Sequence, residues 1–416
     1  RTRVHPGPFS PGGMELPGTE TEPVAFDLAP EGSYVRLPLE HPLAVGDTAE
    51  LEIPFTTTVP RRYGTFGRYR KMVALNGGWT PQVAARDADG SWDLHAPTPA
   101  AYWTVDLDYG ADWGVVINGV VQATDPAGAG APGRGMALFS AGHVRYEGAG
   151  RFVTVVLHRD QRVTVADSPQ GPLTYVGPLP TGLQQRDLST VADRALGLLH
   201  AAGVPDARQG TVVVEAPLRW RLVEQGEGCV LVSDRFLEAD PNMRRTHQTQ
   251  LARAVLTDRL LARVEEVEAQ REAPAVAEAV SWALIPRYLA SRYRFNPTAE
   301  EVLRPLDFIP AIEQYLYAPQ YPFADEVLNN PYQYDPLRAD MRRFHRAGIS
   351  PRVSQLKVRE VVGPLAMDGA AVAYVTSLGE PAPVPWLEQL HTRTGIEVRP
   401  TWDAWESALP FVDYHL

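Results

Sequence analysis

The spacing of apolar residues changes once along this chain, near residue 180, and that change limits the folds it can adopt. Up to that point the sequence consists of short alternating runs, such as 34–39 and 151–157, separated by Pro and Gly turns. Beyond it, an amphipathic helix is predicted over 188–202, and buried strands over 210–215 and 228–233. The pattern predicts an all-β domain followed by a domain that is α/β and then mostly α.

Long helical text begins near residue 244. Helices are predicted over 244–271 and 275–292, from 298–301 onward, and over 336–346, with proline-rich breaks between the later ones. The tail over 353–411 predicts two or three more helices.

The length of 416 residues exceeds what one compact core accommodates, so the chain is expected to hold several domains. We predict an amino-terminal β domain over 1–180, lacking its first strands, and a second domain over 181–416. The net charge of -11 offers no basic field for phosphate backbones, which argues against nucleic acid as a partner. No apolar run approaches the ~20 residues that a membrane-spanning helix needs. With Cys229 as the single cysteine, no internal disulfide can form.

Several segments of the β region carry a resemblance to a known family. The runs are Val59-Pro-Arg-Arg-Tyr-Gly-Thr-Phe-Gly-Arg68, Leu75-Asn-Gly-Gly-Trp-Thr-Pro81, Ala85-Arg-Asp-Ala-Asp-Gly-Ser-Trp92 and Ala100-Ala-Tyr-Trp-Thr-Val-Asp-Leu-Asp-Tyr109. They resemble the amino-terminal β domain of the membrane alanyl aminopeptidase family, which are gluzincin zinc metallopeptidases. The resemblance extends over about the whole chain and implies a saddle-like β domain followed by a thermolysin-like domain.

The resemblance also implies where zinc would bind. The family carries H-E-x-x-H on a helix, because two His residues four apart share one face and the Glu activates the metal-bound water. The corresponding segment here is His247-Gln-Thr-Gln-Leu251. His247 keeps the first ligand position, Gln248 replaces the base, and Leu251 replaces the second ligand. Gln cannot take a proton from water and Leu cannot bind a metal.

Two acidic residues take the remaining family positions. The resemblance puts Glu278 of Ala277-Glu-Ala-Val-Ser-Trp282 in the place of the third zinc ligand, and Glu224 in the place of the Glu that binds the substrate amino terminus. Both are interpreted as vestigial positions, as are His247 and Gln248. The simpler interpretations are a packed core histidine at position 247 and, at position 278, either a partner for a nearby Arg or a solvated helix residue.

Three functions remain open. The first is a non-catalytic aminopeptidase-like protein, a pseudopeptidase that binds a peptide or protein or acts as a scaffold. The second is a zinc-dependent aminopeptidase with a non-standard site built from His247, Glu278 and a distant His such as His345 or His391. The third is a structural subunit of a larger envelope or cell-surface assembly.

The first of these functions implies no intact catalytic residue, no cofactor and no bound metal, whereas the second requires zinc. The partners of a pseudopeptidase would be proteins or peptides. The sequence leaves the cellular location undetermined, and we favour the periplasm or cell surface over the cytoplasm. The composition favours a bacterial source. Because residues 1–9 enter mid-strand where the family has earlier strands, and residues 409–416 stop without a capping or tail signal, we also expect the chain to be a piece of a longer polypeptide. The intact mass of the native protein, compared with the 45.7 kDa of this chain, would test this.

Overall fold

The computed structural model describes residues 27–28, 35–36, 46, 53, 55–61, 67–77, 79–81, 83–86, 92–93, 100–122, 135–166, 169–177, 182–204, 210–218, 222–234, 236, 244–269, 272–293, 306, 309, 358–359 and 361–407. The chain divides into two compact units, Arg1–Arg61 with Gly78–Gln82, and Arg62–Gly77 with Val83–Leu416. In the first unit, strands β1 (Asp27–Leu28) and β2 (Val35–Arg36) pair antiparallel.

The described part of the second unit begins with ten strands: β3 (Gly67–Tyr69), β4 (Met72–Asn76), β5 (Ala85–Arg86), β6 (Trp92–Asp93), β7 (Ala101–Asp108), β8 (Gly114–Ile117), β9 (Val120–Val121), β10 (Gly135–Ser140), β11 (His143–Gly150) and β12 (Thr154–His158). They form a five-stranded sheet in the order β3-β4-β12-β8-β9, a three-stranded sheet in the order β10-β11-β7, and the pair β5-β6. Every pairing among them is antiparallel. The β character predicted for this part of the chain is therefore confirmed for its described residues.

A third sheet has mixed pairing and contains β13 (Arg162–Ala166), β14 (Leu173–Gly177), β15 (Thr211–Ala216), β16 (Val223–Gln225) and β17 (Val230–Ser233). Its order is β13-β14-β15-β17-β16, with β14-β15 and β15-β17 parallel and the outer pairs antiparallel. The parallel β14-β15 step is bridged by helix α1 (Gly182–Ala201), the connection that parallel strands require. One sheet therefore includes strands from both sides of residue 180, and the domain boundary predicted there stays a prediction.

Five further helices complete the described chain: α2 (Arg244–Val264), α3 (Ala273–Tyr293), α4 (Pro364–Ser377), α5 (Trp386–Thr394) and α6 (Arg399–Ser407). The helices predicted over 188–202 and 275–292 are confirmed, and the described tail holds three helices where two or three were predicted. The helix predicted over 244–271 ends earlier, because a turn follows Val264. The helices predicted over 298–301 and 336–346 lie outside the described residues. No described helix has the length and apolar character needed to cross a membrane.

The largest core lies where α1, α2, α3 and the tail helices pack against the third sheet. Its residues include Val213 and Val232 of the sheet, Leu251 and Val255 of α2, and Trp386 of α5, all with no exposed surface. Burial of this kind contributes about 25 cal/mol per Å² of apolar surface. The helix carrying the predicted zinc segment is therefore positioned by its apolar face.

Candidate functional site

Helix α2 carries the segment that the resemblance assigned to zinc. His247 lies within the helix, and its side chain is outside the part of the chain that the structure describes. Gln248 is buried at 5% exposure, and its neighbour Thr249 is completely buried. The sequence thus correctly predicted a helix here, and the base position holds an amide inside the protein.

The second ligand position belongs to the core. Leu251 has no exposed surface and is a member of the large cluster between the helices and the third sheet. A leucine side chain has no lone pair to offer a metal, and its packing explains why an apolar residue is stable here. The residue at this position therefore supports the fold.

Glu278 on α3 is held by an arginine. Arg253 of α2 donates from Nη1 to Glu278 Oε1, and the two side chains are only 7% and 14% exposed. The guanidinium of Arg253 also lies over the Trp282 ring, at 4.9 Å from its centroid. The carboxylate that the resemblance assigned to zinc is therefore half of a buried ion pair that joins α2 to α3.

Glu224 lies on the edge strand β16, opposite Leu231 of β17, and is half-buried. Its neighbour Gln225 contacts helix α2, because Gln225 Nε2 donates to Asp258 Oδ1 at 3.1 Å. Asp258 is only 4% exposed. The structure thus packs α2 against both β16 and α3, so the elements with the predicted site residues are neighbours.

The histidines of the non-standard zinc site do not form a described cluster. His391 Nδ1 lies 3.2 Å from the Ile396 carbonyl oxygen, and His345 lies outside the described residues. Within the ranges given above, no three His, Cys, Asp or Glu side chains come together as they would around a metal ion. Where they are described, the family's zinc positions do not fit the metal, since position 251 is a core leucine and Glu278 is bound by Arg253.

Sequence reasoning missed a polar network that joins the five-stranded sheet to the β16–β17 turn. Buried Thr154 donates from Oγ1 to Asn76 Oδ1 at 2.7 Å and accepts from the Glu227 backbone N–H at 2.8 Å. Asn76 Nδ2 in turn donates to the Gln225 carbonyl at 3.0 Å. The only signal in the sequence is the presence of polar residues inside strand-like text, and it does not reveal their partners.

An arginine extends this network to the turn that follows helix α2. The Arg151 backbone N–H donates to the Glu227 carboxylate at 3.2 Å, and its guanidinium donates to Glu265 Oε1 at 2.8 Å. The Arg151 side chain is 8% exposed and that of Glu265 is 21% exposed. The sequence predicts an exposed helix face at this acidic segment and does not reveal the arginine, which lies 114 residues away.

A second buried polar group joins β12 to β15. The His158 ring donates from Nε2 to the Glu215 carbonyl oxygen at 2.9 Å, and the Tyr175 hydroxyl donates to Glu215 Oε2 at 2.8 Å. Burial lowers the pKa of His158 to about 4, and the hydrogen bond to Glu215 offsets this only in part. The pKa of Tyr175 is raised by burial and by the adjacent Glu215 carboxylate. The His158 ring is therefore neutral near pH 7. Its hydrogen bond to Glu215 links the five-stranded antiparallel sheet to the mixed sheet.

Comparison with protein-family models finds no match, and comparison with curated proteins finds none either. Solved structures do show similarity. The M1 zinc metallopeptidase from Deinococcus radiodurans is 15% identical over 96% of this chain and 84% of that one, with a TM-score of 0.47. A single-residue mutant of the same enzyme matches at 15% identity over 96% and 85%, also with a TM-score of 0.47.

A two-domain M1 zinc metallopeptidase mutant bound to L-arginine is 15% identical over 95% of this chain and 83% of that one, with a TM-score of 0.49. All three similar structures are M1 zinc metallopeptidases. The degenerate zinc helix stays an interpretation of the residues at 247, 248 and 251. A likeness this distant leaves activity to be judged from the residues of the site itself.

Proposed function

We propose that this chain is a non-catalytic, aminopeptidase-like protein that serves as a peptide- or protein-binding or scaffold module. The observation that carries the proposal is the buried ion pair between Arg253 and Glu278, which stacks on Trp282. This pair takes up the carboxylate that a third zinc ligand would need.

The chemistry of helix α2 supports the same conclusion. A catalytic zinc needs three protein ligands and an open position for water, together with a base that accepts the proton of that water. Leu251 provides neither a ligand nor space, since it is completely buried in the core. Gln248 provides an amide, which does not accept a proton near neutral pH.

The ion pair also gives the two helices a link that needs no metal. Buried charges are stable only when they are paired, so Arg253 and Glu278 hold α2 and α3 in a fixed register. Thr257 adds a hydrogen bond across the same helix pair, from its hydroxyl to that of Ser281 at 3.0 Å. We therefore propose that folding requires no zinc and that the chain works without a cofactor.

The test is turnover of a panel of aminoacyl chromogenic substrates with and without added zinc. We expect rates at background, because both water activation and metal retention are lost. His247→Ala should leave these rates unchanged. Chelator-sensitive hydrolysis that disappears in His247→Ala would establish the zinc-dependent aminopeptidase with a non-standard site and refute the proposal.

A binding or scaffold role also predicts a partner. Affinity isolation of the native protein, followed by identification of what co-purifies in stoichiometric amounts, tests it. The periplasmic or cell-surface location that we propose can be tested on the same material by cell fractionation.

A further inference from the structure

The outer face of the three-stranded β10-β11-β7 sheet exposes large apolar side chains. In an antiparallel sheet covered on one side, inward positions are apolar and outward positions are polar. The inward positions follow this rule, with Val144 and Tyr146 completely buried. On the outward side Tyr102, Met136 and Leu138 are 70%, 65% and 64% exposed. Met136 and Leu138 are neighbours on this face of β10, whereas Tyr102 lies two strands away on β7. Exposed apolar surface such as that on β10 often marks an interaction site.

Charged residues lie directly beside these apolar side chains. The strand register places Leu138 opposite Arg145, and Arg145 opposite Asp106. Arg145 contacts Glu147 at 2.9 Å and Asp106 at 3.7 Å, while His143 Nδ1 lies 2.8 Å from Asp108. Three carboxylates face one guanidinium and one imidazole, so the acidic groups outnumber the basic ones and this face carries a net negative charge.

We propose that this outer face is a docking surface for a segment of a partner protein that presents basic and apolar side chains in an extended conformation. Its apolar column on β10 provides area to bury, and the carboxylates on β7 and β11 attract cations. Met136 and Leu138 are two residues apart, which matches the spacing of side chains on one face of an extended peptide. Among the described strands β10 also lies at the edge of its sheet, where an extended segment can be added. Anionic lipid and nucleic acid would be repelled by the same charge.

This surface gives a location to the binding role proposed above, and the inference rests on that role. The probe is a fluorescein-labelled ten-residue peptide of alternating Arg and Leu, with a matched Glu and Leu peptide as control. Fluorescence anisotropy on the full chain measures the Kd of each. Leu138→Ser and Asp108→Asn test the face, and both positions are exposed enough that folding is unaffected, which circular dichroism checks.

Matched controls lie elsewhere on the surface. Val83 is 76% exposed and Asp403 of α6 is 57% exposed, so Val83→Ser and Asp403→Asn make similar chemical changes at positions outside β7, β10 and β11. We expect the Arg and Leu peptide to bind wild type and both controls alike, and to bind each face variant about tenfold more weakly, a change of ~1.4 kcal/mol. Raised salt should weaken this binding because the attraction between charges is screened.

Three results would overturn the proposal: no binding of the basic peptide, equal binding of the acidic peptide, or equal losses in face and control variants. If the Kd of the basic peptide is the same for wild type and the face variants, the docking surface is refuted while the proposed binding role is not. Chelator-sensitive aminopeptidase turnover, in contrast, would count against the proposed function and not against this surface.

Discussion

Acidification should destabilise the protein through His158. The side chain is 3% exposed and donates one hydrogen bond to the Glu215 carbonyl oxygen, so the folded protein holds it in the neutral form. Its pKa is about 4 when folded, against 6.5 for an unperturbed histidine. Between pH 4 and pH 6.5, the unfolded chain therefore binds a proton at His158 that the folded chain does not bind. Stability from this group is fully present above pH 6.5 and is lost as the pH falls toward 4.

The size of the effect follows from the two pKa values. A difference of 2.5 units corresponds to about 3.4 kcal/mol once the pH is below both values, of which about 2 kcal/mol is lost by pH 5. Equilibrium urea unfolding between pH 7 and pH 4.5 measures it, on wild type and on His158→Gln, whose amide keeps a donor but does not titrate. Wild type should lose about 2 kcal/mol more than the variant between pH 7 and pH 5.

Other groups also titrate in this window, which is why the difference between the two proteins is the informative quantity. His200→Gln provides a control, because His200 is exposed near the end of α1. It should follow wild type at every pH. If wild type and His158→Gln lose stability in parallel from pH 7 to pH 4.5, burial of a neutral His158 is refuted.

Three further predictions concern packing, the ion pair and metal. Gly119 and Gly203 share a φ of 78°, but a Cβ on Gly119 would lie 2.1 Å from the Gly228 carbonyl oxygen whereas one on Gly203 meets nothing within 4 Å. Gly203→Ala should therefore cost about 1 kcal/mol in urea unfolding and Gly119→Ala about 3 kcal/mol or more, and equal costs would contradict the contact. Arg253→Met or Glu278→Leu alone should cost about 3–5 kcal/mol, while the double variant should be near neutral; additive losses would show that the pair is not coupled. Chelation should leave the melting temperature of wild type unchanged, and a fall of several degrees would reveal a stabilising metal.

Local pattern predicted much of the secondary structure. The apolar text over 188–202 and 275–292 indicated α1 and α3, although the start of α1 was placed six residues too late, at 188 instead of Gly182. Helix α1 buries one apolar stripe, whereas α3 is apolar and buried on most of its sides. The end of α2 was placed seven residues too late, at 271 instead of Val264. Glu268, just beyond it, accepts hydrogen bonds from the Tyr374 hydroxyl and the Trp386 backbone N–H. Contacts with residues more than 100 positions away hold that segment, and no local window contains them.

The pairing of strands in the sheets could not be predicted from the sequence either. Nothing in the strand text over 162–177 shows that β14 pairs in parallel with β15, since each strand has two edges and many possible partners. The polar network around Thr154 has the same character, with partners 73 and 78 residues away. Such pairings are selected by the packing of the whole chain.

For the candidate site, the sequence alone determined the chemistry at two positions. Gln248 cannot act as a base and Leu251 cannot bind a metal in any fold, because these are properties of the side chains themselves. Only the tertiary structure decided what Glu278 does. A carboxylate on a helix can bind a metal, face solvent or pair with a cation, and the choice depends on which side chain the neighbouring helix presents. Here α2 presents Arg253, 25 residues earlier in the chain, and the buried carboxylate is neutralised by that arginine.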